Sequence, residues 1–106
     1  MLSYQHIYHA GNLADVQKHA LLAVMLDYLT RKEKPLSYLE THAGRGLYDL
    51  GSEAALKTGE AAAGIEAVAG WFGADHPYHR ALGKLRARHG EAVYAGSPVL
   101  AETLLR

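Results

Sequence analysis

Apolar residues at Leu13, Val16, Leu21, Val24, Tyr28 and Leu29 approximate a 3.6-residue period and predict one amphipathic helix over Asn12 to Lys32. Asn12 can cap it, Asp15 falls in its first turn, and Arg31 and Lys32 fall in its last, the charge order that a helix dipole favours. Pro35 forbids continuation. Leu36 to Glu40 (LSYLE) then reads as a short strand, apolar enough to be covered on both faces, and it runs into the glycine-spaced turn of YLETHAGRGLYDL. From Ser52 the composition shifts toward alanine and glycine. Thr58 stands before a helical pattern over Ala61 to Phe72, with Gly73 as its stop, and Asp75-His76-Pro77 opens a second pattern that Gly90 ends. Ile65, Val68, Trp71 and Phe72 on the first are expected to bury against Tyr78, Leu82 and Leu85 on the second. Glu91 to Tyr94 reads as extended, and Gly96-Ser97-Pro98 as a cap followed by proline, launching a helix over Val99 to Arg106.

The 106 residues fit one small domain and fall short of a complete doubly wound α/β enzyme, whose strand-and-helix units need about 30 residues each. The final Leu104-Leu105-Arg106 lies within an apolar helical pattern, so a truncated chain is expected. Eleven Lys and Arg balance eleven Asp and Glu, and any case for nucleic acid must rest on local charge. Such a bias exists in His79 to His89, where Arg80, Lys84, Arg86 and Arg88 occur with no acid, a stripe suited to RNA phosphates or simply to solvent. The absence of cysteine removes disulfides and thiolate metal sites. No signal-peptide order opens the chain, and the longest apolar run, Ala20 to Leu26, is far below the roughly 18 residues of a membrane span, so a cytoplasmic location is expected.

A strand closing on an acidic residue before a glycine turn suits an adenosine cofactor at the carboxyl end of a sheet strand, because glycine lets backbone approach the ligand. Glu40, Gly44 and Gly46 hold those places. Gly44-Arg45-Gly46 lacks both a third glycine for a dinucleotide and the Lys-Ser/Thr of a phosphate loop, which favours S-adenosylmethionine; the same turn also reads as geometry alone. His6-x-x-His9 and His76-x-x-His79 have metal-friendly spacing but lack nearby ligands of the usual form, so no metal is expected.

The blocks YQHIYHAGNLADVQKH (Tyr4 to His19), LETHAGRGLY (Leu39 to Tyr48), LGSE (Leu50 to Glu53), KTGE (Lys57 to Glu60) and YAGSPVLAETLLR (Tyr94 to Arg106) resemble, in order, the RlmJ family of adenine-N6 methyltransferases of 23S ribosomal RNA. The alanine-rich part from Ala61 to Gly90 is the least similar. The family pattern has Arg at Gln5, Asp at Glu40, a small residue at Arg45 and a basic one at Leu47. The resemblance implies an α/β fold: the amino-terminal part of a Rossmann-like, S-adenosylmethionine-dependent methyltransferase sheet with a small helical insertion, mostly helical in this chain. Residues 1–51 would carry the first helix, first strand and cofactor turn, 52–95 the insertion, and 96–106 the start of the next helix. By the same resemblance His19, His42 and Ser97 would contact the cofactor, joining Glu40, Gly44 and Gly46 of the turn, while Tyr4 would lie beside the RNA, with Lys18 also expected to face it.

Methylation at N6 also requires an (Asp/Asn)-Pro-Pro-aromatic turn that aims at the amine of a base taken from its stack. The chain has none. Asp75-His76-Pro77-Tyr78 follows the first expected strand by only about one βαβ unit and reads as a helix start. The chain alone is therefore expected to be inactive, with a small helical RNA-binding or interaction module as the alternative reading.

Overall fold

The computed structural model describes residues 5–40 and 44–105. Among the described residues, six helices surround one two-stranded sheet: α1 (Leu13–Thr30), β1 (Leu47–Asp49), α2 (Glu53–Thr58), α3 (Glu60–Ala63), α4 (Ile65–Val68), α5 (Pro77–His89), β2 (Val93–Ala95) and α6 (Ser97–Leu104). Short 3-10 turns lie at His6–Tyr8 and Ala69–Trp71. The strands run antiparallel, with Tyr48 opposite Tyr94. The chain is thus a mainly helical assembly with a small antiparallel sheet. No helix among the described residues is long and apolar enough to cross a membrane.

Asn12 caps α1 as expected, its Oδ1 accepting the Asp15 N–H at 2.8 Å. The buried stripe is not the expected one. It consists of Asp15, Val16, His19, Ala23 and Leu26, whereas Leu13, Leu21, Val24, Tyr28 and Leu29 stay exposed. The reason is tertiary: α5 and α6 pack against α1, and the two polar members of the stripe find hydrogen-bond partners elsewhere, Asp15 at Gly11 and His6 before α1 and His19 at Tyr94 in β2. Residues 35–40 likewise differ from expectation. They pair with no strand among the described residues, and Leu39 is 93% exposed. A strand needs a neighbour to receive its backbone groups, and local β-propensity does not supply one.

The helix expected over Ala61 to Phe72 is broken. Ser52 starts α2 with its hydroxyl accepting the Ala55 N–H at 3.3 Å, and Gly59, at φ +69°, ends it. Gly64 then separates α3 from α4 because the Ile65 N–H is drawn away to Gly11 O at 2.7 Å. A Cβ at Gly64 would lie 2.0 Å from that carbonyl, so only glycine admits the approach.

α5 begins and ends where its signals lie, with His76 Nδ1 accepting the Tyr78 N–H at 3.1 Å and Gly90 following its last residue. It buries Tyr78, Leu82 and Leu85, which join Ile65 and Val68 in one apolar cluster that also holds Ile7, Val16, Ala23, Tyr48, Tyr94 and Leu100. Phe72 packs edge-on against Tyr78 with ring centroids 5.3 Å apart, but Trp71 points out and is 79% exposed, against expectation, because the 3-10 turn rotates it off the buried face. At α6 the cap is Gly96 rather than Ser97, which is the first helical residue, with Pro98 next.

Candidate functional site

The end of this core that faces the start of the chain opens into a cavity of about 710 Å³, within the range of small-molecule sites. Three stretches remote in sequence form it: the leader with its cap and the first half of α1 (Gln5, His6, Ile7, Asn12, Asp15, Lys18, His19), the turn Gly44-Arg45 before β1, and the turn Gly96-Ser97 after β2. The antiparallel pairing brings the last two together, as the Gly96 N–H donates to Gly46 O at 2.8 Å. Gly44 adopts φ +65°, and the next amide, Arg45 N–H, donates to the Tyr48 hydroxyl at 3.0 Å. An added Cβ at Gly44 would come within 2.8 Å of that hydroxyl, so glycine is required by both conformation and space.

His19 is the cavity's most buried polar side chain, at 2% exposure. Burial, outweighing the attraction of Asp15, lowers its pKa from 6.5 to about 4, so the ring is neutral at pH 7. Its Nδ1 lies 2.6 Å from the Tyr94 hydroxyl, which in turn accepts from the Tyr78 hydroxyl at 3.0 Å. A phenol is the better donor and an imidazole nitrogen the better acceptor. The relay therefore runs Tyr78 O–H to Tyr94 O–H to His19 Nδ1, and the ring proton sits on Nε2. Burial raises both phenol pKa values, that of Tyr78 to about 12, which keeps both hydroxyls protonated as donors. Nε2 is buried and has no hydrogen-bond partner among the described residues. An orphaned buried donor is costly unless a ligand or water meets it.

Asp15, 4% exposed, is the second buried polar group. Its carboxylate accepts the Gly11 N–H at 3.1 Å and pairs with His6 Nε2, while Lys18 Nζ stands 3.9 Å away on the exposed side. The His6 ring also meets Tyr48 edge-on, with centroids 5.4 Å apart, so leader, α1 and β1 converge at one point.

Of the residues expected at a cofactor site, His19, Gly44 and Ser97 line this one cavity, and Lys18, expected to face the RNA, lines it too. Gly46 and Glu40 do not. Gly46 abuts α6, where an added Cβ would lie 2.5 Å from Val99 Cγ2, so its smallness serves packing. Glu40 accepts from the Tyr38 hydroxyl at 2.7 Å and lines a separate cavity of about 480 Å³ with Pro98 and Ala101. Tyr4 and His42 lie outside the described residues. The two His-x-x-His pairs diverge: His6 turns to Asp15, His9 to Glu60, and His76 caps α5. Among the described residues no three His, Asp or Glu side chains gather as a metal site would require. Sequence reasoning missed Asp15, read only as a first-turn acid, and the hydrogen bond between Tyr78 and Tyr94, which lie on either side of a basic segment with no local signal that they meet.

The model of the family described as RsmJ, ribosomal RNA large subunit methyltransferase D, RlmJ, matches residues 33–106. Ribosomal RNA large subunit methyltransferase J of Escherichia coli strain K12 is 43% identical over a 111-residue alignment that takes in 100% of this chain. The protein of the same name from Haemophilus influenzae is 46% identical over 112 residues, again with 100% of the chain covered. The chain spans 39% of the length of each of these curated relatives. A crystal structure of a Legionella pneumophila protein, LPL1258, superposes with a TM-score of 0.72 at 38% identity, covering 92% of this chain and 37% of that one. The orphaned imidazole and its cavity thus sit in a chain that belongs to the RsmJ family of ribosomal RNA large subunit methyltransferases.

Proposed function

We propose that this chain forms part of an S-adenosylmethionine-dependent methyltransferase of Rossmann-like fold that acts in the cytoplasm on adenine N6 of 23S ribosomal RNA. The carrying observation is the buried His19 Nε2–H, which lacks a partner among the described residues in a cavity also lined by Gly44 and Ser97. The donor set fits the cofactor. S-adenosylmethionine has a carboxylate and ribose oxygens to accept hydrogen bonds. Nε2–H and the amide groups opening α6, which no side chain caps, are donors. Gly44 clears space, while buried Asp15 gives the wall a carboxylate and Lys18 gives the exposed side a cation. When bound, the cofactor supplies an electrophilic methyl group on its sulfonium. This chain's residues bind and orient: His19, held by Tyr94, presents one donor, while Lys18 and, by family resemblance, Tyr4 face the RNA.

The adenine amine is a weak nucleophile and needs the Pro-Pro turn that these 106 residues lack. The chain alone is expected to bind S-adenosylmethionine without transferring its methyl group to ribosomal RNA. Calorimetric titration of the chain with the cofactor tests the reading: one-site binding is expected, and absence of heat would overturn it. A second reading, an RNA-binding module without chemistry, draws on a ledge of about 660 Å³ lined by Lys84, Arg88 and His89. Salt-dependent RNA binding combined with no cofactor affinity would favour it.

A further inference from the structure

Glu60 lies outside the cavity, yet it grips the segment that forms one cavity wall. Its Oε2 accepts from His9 Nδ1 at 2.5 Å and its Oε1 from Asn12 Nδ2 at 3.2 Å. Its neighbours hold the same segment: the Thr58 hydroxyl donates to Tyr8 O, and the Ile65 N–H donates to Gly11 O at 2.7 Å. Thus α2, α3 and α4 each contribute one residue to anchoring residues 8–12. Asn12 transmits the constraint, since the amide whose Nδ2 meets Glu60 also presents Oδ1 to the Asp15 N–H at 2.8 Å. Asp15 then receives the Gly11 N–H and pairs with His6, and both Asp15 and His6 line the cavity.

We infer that Glu60 is a positioning residue: by bridging His9 and Asn12 it locks the leader onto the helical insertion, so that His6 and Asp15 stand at fixed places in the cavity wall. The insertion then serves the site from behind, whatever surface it offers to RNA. The carboxylate suits this task. The Asn12 and His9 hydrogen bonds lower its pKa, so it is ionised at neutral pH and both oxygens accept at once. A glutamine at the same place has only one acceptor oxygen. Only the effect on ligand affinity rests on reading the cavity as the S-adenosylmethionine site.

The test compares Glu60→Ala and Glu60→Gln with the exposed control Glu66→Ala in the 106-residue chain. Amide hydrogen exchange, the ¹⁵N shifts of the His6 ring and S-adenosylmethionine affinity are measured in each. In Glu60→Ala, exchange at Gly11, Asn12 and Ile65 is expected to rise at least tenfold while amides of Leu82 and Leu85 hold their rates. The His6 ring shifts are expected to move toward those of a solvent-exposed imidazole, and cofactor affinity to fall about tenfold. Glu60→Gln should fall between, and Glu66→Ala should match the parent. Unchanged leader exchange, or exchange that rises equally in α5, would overturn the positioning role. So would a loosened leader with undiminished affinity. If the parent chain binds no cofactor while the exchange and His6 responses appear, the positioning role stands and the cofactor reading fails.

Discussion

Mild acid should expose the energetic consequence of burying His19. The unfolded chain protonates this imidazole below pH 6.5 and the folded chain only below about 4, so between those values the unfolded state holds more protons and acid favours unfolding. The stability that a neutral His19 contributes is complete above pH 6.5 and is lost as pH falls through the window. With 1.36 kcal/mol per pKa unit, the whole effect is about 3 kcal/mol, of which about 2 kcal/mol falls between pH 7 and pH 5. That is a large share of the roughly 5 to 15 kcal/mol typical of small domains. Other imidazoles and carboxylates titrate nearby, so the assay is a difference: urea unfolding of the parent and of His19→Asn at pH 7 and pH 5. The substituted amide keeps an acceptor for the Tyr94 hydroxyl without a titrating group. The parent should lose about 2 kcal/mol more than the variant over this interval. Equal losses would refute the argument that His19 is buried and neutral.

Gly64→Ala should cost more than about 3 kcal/mol in denaturant unfolding, because its Cβ would sit 2.0 Å from Gly11 O and 2.7 Å from Asn12 backbone. A neutral result would show that the α3–α4 break is not held by this contact. Tyr94→Phe should destabilise by about 2 to 4 kcal/mol, since it strands both the Tyr78 hydroxyl and His19 Nδ1 in the core. Thermal melts that change little would contradict the relay. Trp71→Ala should shift stability by no more than about 0.5 kcal/mol, as expected for a side chain that is 79% exposed.

What could be read from the sequence follows from how local each signal is. Asn12, the His76-Pro77 pair and Gly90 act on the backbone within a few residues, and they mark the ends of α1 and α5 as expected. Gly64 acts through Gly11, far away in the chain, so a helix that local pattern continued was in fact broken. Burial on α1 was misjudged for the same reason. Nothing within the helix shows that Asp15 and His19 have partners in the leader and in β2, whereas Leu21 and Tyr28 stay exposed. At the candidate site, family resemblance pointed to His19 and Ser97 and the glycine turn to Gly44, and these line one cavity with Lys18, expected to face the RNA. Asp15, His6 and Tyr94 emerged only once strand pairing and the leader's path placed them beside it.

The most direct measurement of the central claim is an NMR titration that follows the His19 ring nitrogens as S-adenosylmethionine is added at pH 7. Before addition, a neutral ring protonated on Nε2 is expected. On addition, the Nε2 and Hε2 resonances should shift saturably as that donor finds an acceptor, while the ring remains neutral. A His19 signal that stays in place at cofactor concentrations that saturate binding would show that the ligand lies elsewhere, and an unbound chain would contradict the cofactor reading.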